Sequence, residues 1–421
     1  MSANSPQSDS ALLKGREQQT FSQYMRSWIL RVRSGDLGQL PVILGLIVIW
    51  IVFQIANPIF LSSFNLVNLL VQASVIITIA YGVVVILLLG EIDLSMGYTA
   101  GMSAVIIAVL LRAPLEIPGI TPEGGLTIAW YVAIAAGLAV AVLIGVIQGF
   151  FVTFFRLPSF IVTLAGQLAL SGLVLMTVKG LGTLSMRDPV IRGSVNTFLS
   201  PERGVVFAIV TTLAFLGIQI LGYRSRVKAG LNTAPPAVIA IQTMAVGFVV
   251  SGLVWVANLS RGVPVSFVLL LIMLVVLTYL TTGTRFGRYL FAVGGNKEAA
   301  RRAGIRVERI RLYGFMLGSL MAGIGGVFLV ARLGSVATDT GSGPMLLNSI
   351  AAAVIGGTSL FGGSGKMSSA LLGGLVIASV DSGLGLAGLP SDAKFILTAG
   401  ILLLAVIVDS FARRSAARSG R

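Results

Sequence analysis

Few residues of this chain could do chemistry, and those few sit between apolar stretches. Glu91 and Asp93 lie two apart in Gly90-Glu91-Ile92-Asp93-Leu94-Ser95, with no basic residue near them in sequence. A charge held centrally in a membrane-crossing helix costs roughly 2.5–3.5 kcal/mol, so such a group is retained where it meets water, pairs or caps a helix. Asp93, followed by Leu94 and Ser95, suits the N-cap of a following helix. The same pair could line a pathway or a cytoplasmic-side gate, or couple transport to a proton or cation. Asp381 is a lone carboxylate near the outer end of a glycine-rich segment, facing a cavity mouth or marking a solvated helix end. Asn65, Asn68 and Gln72 form an i, i+3, i+7 stripe that would either line a polar pore or join helices by amide hydrogen bonds. Ser159 and Thr163 share a helix face at i, i+4, where a hydroxyl serves the backbone or a ligand. With Ser95 and Thr358 these are the candidate residues of a translocation pathway.

Other chemistry is excluded by composition. The 421 residues include no cysteine and no histidine, which removes disulfides, thiolate metal sites, cysteine nucleophiles and histidine-based catalysis. No residue set suggests a metal or a cofactor bound by the chain itself. Three string matches also fail. The run ending Gly365-Lys366-Met367 lacks the first glycine of a phosphate loop, because Leu360 stands there, and Met367 replaces the Ser or Thr that should follow the lysine. Gly383, Gly385 and Gly388 have dinucleotide-fingerprint spacing without a βαβ unit around them. The basic runs at 301–311 and 413–421 flank apolar segments, so orientation and anionic lipid account for them before nucleic acid does.

The elements that must position these residues are apolar helices. Apolar residues make up 56% of the chain and charged ones 11%, against about 25% charged in ordinary globular proteins. A span needs roughly 20 apolar residues, so the chain holds about a dozen and has little left for a soluble domain. The fold class is therefore an all-α polytopic membrane protein of about 10–12 transmembrane helices, some broken or re-entrant. The segments fall near Pro41–Ala56, Phe64–Leu89, Met96–Leu111, Leu126–Phe154, Ser159–Val178, Gly204–Leu221, Pro236–Val256, Pro264–Leu280, Leu312–Ala331, Met345–Leu360, Met367–Leu384 and Lys394–Val408. Met96–Leu111 and Met345–Leu360 are the weakest of them. Residues 1–40 read as a mobile cytoplasmic tail without the features of a secretory signal, 41–410 as the permease domain, and 411–421 as a basic cytoplasmic tail. With both ends in the cytoplasm, twelve alternating segments place 22 of the 30 Lys and Arg inside and eight outside, as the positive-inside bias requires. Glycines four apart, Gly97/Gly101, Gly145/Gly149 and Gly314/Gly318, suit close helix packing in lipid.

The longest polar loop runs from Gly283 to Arg311. Within it, residues 296–304 have the form of a short helix: Asn296 as N-cap, Glu298 in the first turn, Gly304 as terminator. Two turns are marginal alone and need something to dock against. Glu298-Ala299-Ala300 and Gly304 resemble the start of the signature loop of ABC-importer permeases, in which a short coupling helix enters a cleft on the ATPase subunit. The Ile-x-Leu-Pro ending of the maltose-type loop is absent. Phe286-Gly287-Arg288 and Ala292-Val293-Gly294-Gly295-Asn296 resemble the branch that carries ribose, xylose and galactose. So do Gly90 to Gly97, Leu157 to Gly166, and Ile355 to Leu360 with Gly362-Gly363. The resemblance covers about residues 41–412 and is closest to the D-xylose permease type, with its extra loop and span around 179–256.

That resemblance implies a non-enzymatic permease subunit of a sugar importer in a bacterial inner membrane. It also implies a coupling loop of Gly294, Gly295, Asn296, Glu298, Ala299, Ala300 and Gly304. The implied partners are an ABC ATPase that binds the ATP and magnesium, a periplasmic sugar-binding protein, and a second permease copy. The rivals are an ion-coupled secondary transporter of a small polar solute, using Glu91, Asp93 or Asp381 at broken helices, and a passive channel. The carboxylates at span ends and the cytoplasmic position of the sharpest motif count against the first; the docking loop counts against the second.

Overall fold

In the computed structural model the described residues are 21–33, 38–112, 127–230, 233–390, 392–400 and 403. The basic C-terminal tail and residues 1–20 and 34–37 of the N-terminal tail lie outside them; the part of that tail at 21–33 is helical. The elements, in chain order, are α1 (Phe21–Arg33), α2 (Leu40–Ala56), α3 (Ser63–Leu88), α4 (Met96–Arg112), α5 (Trp130–Phe154), α6 (Ser159–Val178), β1 (Leu184–Ser185), α7 (Pro189–Asn196), α8 (Pro201–Lys228), α9 (Pro236–Asn258), α10 (Val265–Gly283), α11 (Arg285–Gly295), α12 (Lys297–Arg302), α13 (Val307–Leu333), β2 (Ser335–Val336), α14 (Met345–Ile355) and α15 (Met367–Leu386). Residues 392–400 are helical as well.

The chain is an all-α polytopic membrane protein. Among the described residues eight helices, α3, α5, α6, α8, α9, α10, α13 and α15, are long and apolar enough to cross a membrane. The apolar helices α2, α4 and α14 are shorter; α4 and α14 are the two segments that looked weakest in the sequence. The last expected segment, 394–408, is helical at 394–400 and at 403, and its other residues lie outside the described ones. The segment expected from Leu126 begins its helix at Trp130.

Two compact units divide the chain. The larger comprises residues 38–198 and 264–411. Its centre is α3, buried along nearly its whole length, which accounts for its long apolar run. Ser62 caps it, accepting from Asn65 N at 3.3 Å. Around it lie α13, α15, α14 and α10, and α13 also lies against α5 and α4. Lipid supplies no hydrophobic drive for helix association, so the contacts rely on small residues that admit close approach. Gly145 and Gly149 of α5 take Phe315, Ser319 and Leu312 of α13, while Gly318 takes Ile86 and Met96. A Cβ on Gly82 would stand 2.5 Å from the Gly318 carbonyl oxygen. Polar clips hold α2 along α15: Trp50 Nε1 donates to Ser379 Oγ at 2.9 Å and Gln39 Nε2 to Ser368 Oγ at 2.7 Å.

The smaller unit contains the α8–α9 hairpin, which falls where the extra loop and span were expected. Gly204 faces Val254 and Asn258, and Gly247 faces Thr212, so the two helices meet through small residues. Gln219 Nε2 donates to Gln242 Oε1 at 2.7 Å, and Leu199 N donates to Val263 O at 2.8 Å across the base of the hairpin.

Candidate functional site

The 283–311 stretch is more ordered than a loop. Thr284 Oγ1 accepts from Gly287 N at 3.2 Å and opens α11, whose buried face is Gly287, Leu290 and Val293. After α11 comes the expected short helix, α12. Asn296 Oδ1 accepts from Ala299 N at 2.9 Å and caps its start. At its end Gly304 N donates to Arg301 O at 3.0 Å and Ile305 N to Ala300 O at 3.1 Å, with Gly304 at φ +81°. That pair of bonds is a Schellman termination, in which a glycine takes the left-handed position without a Cβ penalty. Of the helical turn only Ala300 is buried. Glu298 and Ala299 are exposed, and Glu298 pairs with Arg301 at 3.1 Å and Arg302 at 3.6 Å. The turn therefore presents Glu298, Ala299 and two arginines outward from the end of the larger unit.

Gly294 seats this turn. Gly363 N donates to Leu88 O at 3.0 Å, and a Cβ on Gly294 would overlap that Leu88 carbonyl. A Cβ on Gly362, which has φ +89°, would stand 2.7 Å from Gly294 O and 2.8 Å from the Cα of Gly90. Three chain segments, the turn after α3, the end of α11 and the loop before α15, thus meet backbone to backbone. Glycines are required because no side chain fits between them.

Glu91 lies in the turn between α3 and α4 and is 4% exposed. Its Oε1 is 2.6 Å from Lys297 Nζ and 2.7 Å from Arg311 Nη2. The carboxylate without a basic neighbour in sequence therefore has two in space. Arg311 Nη1 also reaches Val152 O of α5 at 3.5 Å.

Asp93 lies in a buried polar cluster. Its Oδ1 accepts from Ser95 N at 2.8 Å and Ser95 Oγ at 2.7 Å, and Gln148 Nε2 of α5 donates to Ser95 Oγ at 2.7 Å. Ser95, not Asp93, is the residue whose carbonyl accepts the first helical bond, from Thr99 N at 2.8 Å. Asp93 closes an Asx turn one step ahead of α4 instead. Asp93 Oδ2 and Gln148 Oε1 are buried without a hydrogen-bond partner. Ser159 Oγ accepts from Ile92 N at 3.2 Å, and Thr163 Oγ1 accepts from Leu94 N at 3.1 Å while donating to Ser159 O at 2.9 Å. These two hydroxyls of α6 hold the 92–94 turn in place.

The remaining candidates are dispersed. Asn65 donates to Phe60 O at 2.8 Å and accepts from Ser382 Oγ of α15 at 3.1 Å, so this amide joins helices. Asn68 and Gln72 are half-buried further along α3. Thr358 is buried with its hydroxyl unpartnered, next to the glycine junction. Asp381 is exposed on α15. Gln148 was not singled out in the sequence; its signal was a lone amide in the apolar α5 stretch. No group of three or more Asp, Glu, His or Cys that could hold a metal occurs among the described residues.

Burial pushes the Asp93 carboxyl up to about 6, outweighing the Ser95 hydrogen bonds, which pull the other way. A carboxyl whose folded pKa is raised contributes stability below its unfolded value, about 3.9, and loses it as pH rises through the folded value. The shift is about two units, which corresponds to about 3 kcal/mol forgone above pH 7. Asp93→Asn removes this titration, and its amide can donate toward an unpartnered oxygen. Thermal unfolding of detergent-purified protein between pH 4.5 and 8 should show wild type losing several degrees against Asp93→Asn as pH rises. Parallel curves would mean that Asp93 does not titrate in this range.

Compared with known proteins, residues 65–406 match a family described as branched-chain amino acid transport system / permease component. The chain is 35% identical over 388 residues to the xylose transport system permease protein XylH of Escherichia coli K12, which spans 91% of this chain and 94% of that one. It is 32% identical to the protein of the same name in Haemophilus influenzae, over 91% and 98% of the two chains. It is 28% identical to the ribose import permease protein RbsC of Escherichia coli K12, over 92% and 96%. No solved structure matches the chain significantly.

Proposed function

Because the chain belongs to the branched-chain amino acid transport system / permease component family, we propose that it is the membrane-spanning permease subunit of an ATP-driven importer of monosaccharides, with a xylose-like pentose as the substrate class. The observation that carries this reading is similarity, along nearly the whole chain, to permeases named for xylose and ribose transport. The system also comprises an ABC ATPase and a sugar-binding protein. In the finer reading, two permease copies form the passage in a bacterial inner membrane, with both chain ends in the cytoplasm. The binding protein then delivers sugar from the periplasm. ATP and magnesium belong to the ATPase, and the permease hydrolyses nothing.

The geometry supports a coupling role for α12. It is a rigid, doubly capped turn with an exposed outer face, set on a glycine-built seat rather than on a flexible loop. ATP-driven closure of the ATPase pair would displace α12 and switch the opening of the helix bundle across the bilayer. The passage itself we place along α3, where Asn68 and Gln72 remain half-buried. A delivery protein that confers selectivity lets such a passage be weakly polar. An ion-coupled cycle through Glu91 is disfavoured by the two cations that already neutralise it.

Proteoliposomes holding the assembled transporter test the reading. Uptake of xylose should require ATP on the ATPase side and persist when ion gradients are collapsed. Uptake abolished by an uncoupler at constant ATP, or accumulation by the permease reconstituted alone, would overturn it.

A further inference from the structure

Glu91 occupies a position that neither a helix cap nor a pore lining explains. It is buried, yet its carboxylate reaches Lys297, the first residue of α12, and Arg311, in the first turns of α13. Those two cations bracket the exposed turn: one lies at its N-terminal end, the other beyond its C-terminal glycine. A single oxygen therefore fixes both flanks of α12 to the turn between α3 and α4. The arrangement extends inward. Ser159 and Thr163 attach the same turn to α6, Ser95 and Gln148 attach it to α5, and Arg311 reaches the Val152 carbonyl of α5. Beneath it, Gly294, Gly90 and Gly362 put the three backbones in direct contact.

From this geometry we infer that Glu91 is the positioning residue through which displacement of α12 is passed to the helices. The inference rests on the reading of α12 as the docking element. A surface turn connected to the bundle only by its own two chain ends could move without the bundle following. Glu91 removes that freedom, because two charge-assisted bonds to a desolvated carboxylate resist separation far more than exposed pairs do. The pairs on the outer side of α12, Glu298 with Arg301 and Arg302, are solvent-exposed and confer no comparable rigidity. Glu91 itself is 4% exposed, so it cannot belong to the surface that an ATPase touches. Attachment of the partner and transmission of its motion are thus assigned to different residues of one local structure.

The test uses the complete transporter in proteoliposomes. Glu91→Gln keeps the side-chain shape and removes the charge. The ATPase should still co-purify at the wild-type ratio and hydrolyse ATP at no less than half the wild-type rate, while sugar moved per ATP hydrolysed falls at least fivefold. Glu91→Asp, which keeps the charge, should recover more than half of that ratio. Because the chain has no cysteine, a second construction is open. Glu91→Cys with Lys297→Cys, bridged by a short bifunctional maleimide, should regain the transport that either single cysteine variant loses. A wild-type transport-to-ATP ratio in Glu91→Gln would overturn the assignment, as would loss of ATPase capture or a bridged protein that stays uncoupled. If instead capture survives disruption of the outer face of α12 at Glu298, the docking element lies elsewhere and the reading beneath this inference fails first.

Discussion

Gly294→Ala is expected to leave little or no folded protein in the membrane, while Gly295→Ala, one residue on, is expected to be tolerated. The two positions are adjacent and both close the last turn of α11, so composition and helix propensity do not separate them. What separates them is the space that a Cβ would need. On Gly294 it would overlap the Leu88 carbonyl and approach Gly363 N at 2.8 Å; on Gly295 it meets nothing within 4 Å. Overpacking commonly costs 1–3 kcal/mol when side chains can yield. Here the obstacle is backbone, and the contacted carbonyl is the acceptor for Gly363 N at 3.0 Å, so relief would break that bond as well. A cost of at least about 3 kcal/mol follows. At Gly295 alanine gains up to about 1 kcal/mol of helix propensity instead. Yield after membrane extraction and the unfolding temperature in detergent compare the two directly. Equal behaviour would mean that the three-segment junction is looser than its distances state.

The same junction shows what could be read from the residues and what could not. Span positions were legible because each helix must offer a long apolar run to lipid: α4, α6, α14 and α15 begin at Met96, Ser159, Met345 and Met367, where hydropathy and the preceding polar or glycine residues place them. The short helix α12 was legible for a different reason. Its caps are local chemistry, an asparagine oxygen at one end and a left-handed glycine at the other, and local chemistry is written in adjacent residues. The helix α11 falls in the stretch that reads as loop: only Gly287, Leu290 and Val293 are buried, and Arg285 and Arg288 interrupt its apolar residues. The amphipathic α7, opened by Asp188 and Pro189, is likewise too short and too mixed to stand out as an apolar run. The partners of Glu91 were not legible at all. Lys297 lies 206 residues away, and no spacing rule joins a turn after one span to a cation before another. Likewise the Asp93 carboxylate accepts from Ser95 rather than from the first turn of α4, and Gln148, on a different helix, donates to the same serine hydroxyl.

Glu298→Lys should abolish ATPase capture and transport, each by at least tenfold, while the permease stays folded. The argument is one of magnitudes. Glu298 is 59% exposed, and its pairs with Arg301 and Arg302 are surface contacts on one helical turn, worth about 0.3–0.5 kcal/mol each. Its favourable place near the N-terminal end of α12 adds about as much again. Reversing the charge therefore destabilises the turn by about 1–2 kcal/mol, and the caps at Asn296 and Gly304 remain to hold it. The bundle behind it does not depend on Glu298, which touches none of the buried network around Glu91. A loss of function far larger than the change in unfolding temperature can then come only from the exposed face itself, where a lysine joins Arg301 and Arg302 and leaves Glu308, paired with Arg301, as the acidic group beside them. Gly304→Val is a weaker instrument, because its φ of +81° makes any β-branched residue strained and confuses folding with docking. The measurement is co-purification of the ATPase with tagged permease, alongside thermal unfolding and ATP-driven uptake. Wild-type capture by Glu298→Lys would move the docking surface away from α12, whatever the state of the Glu91 latch.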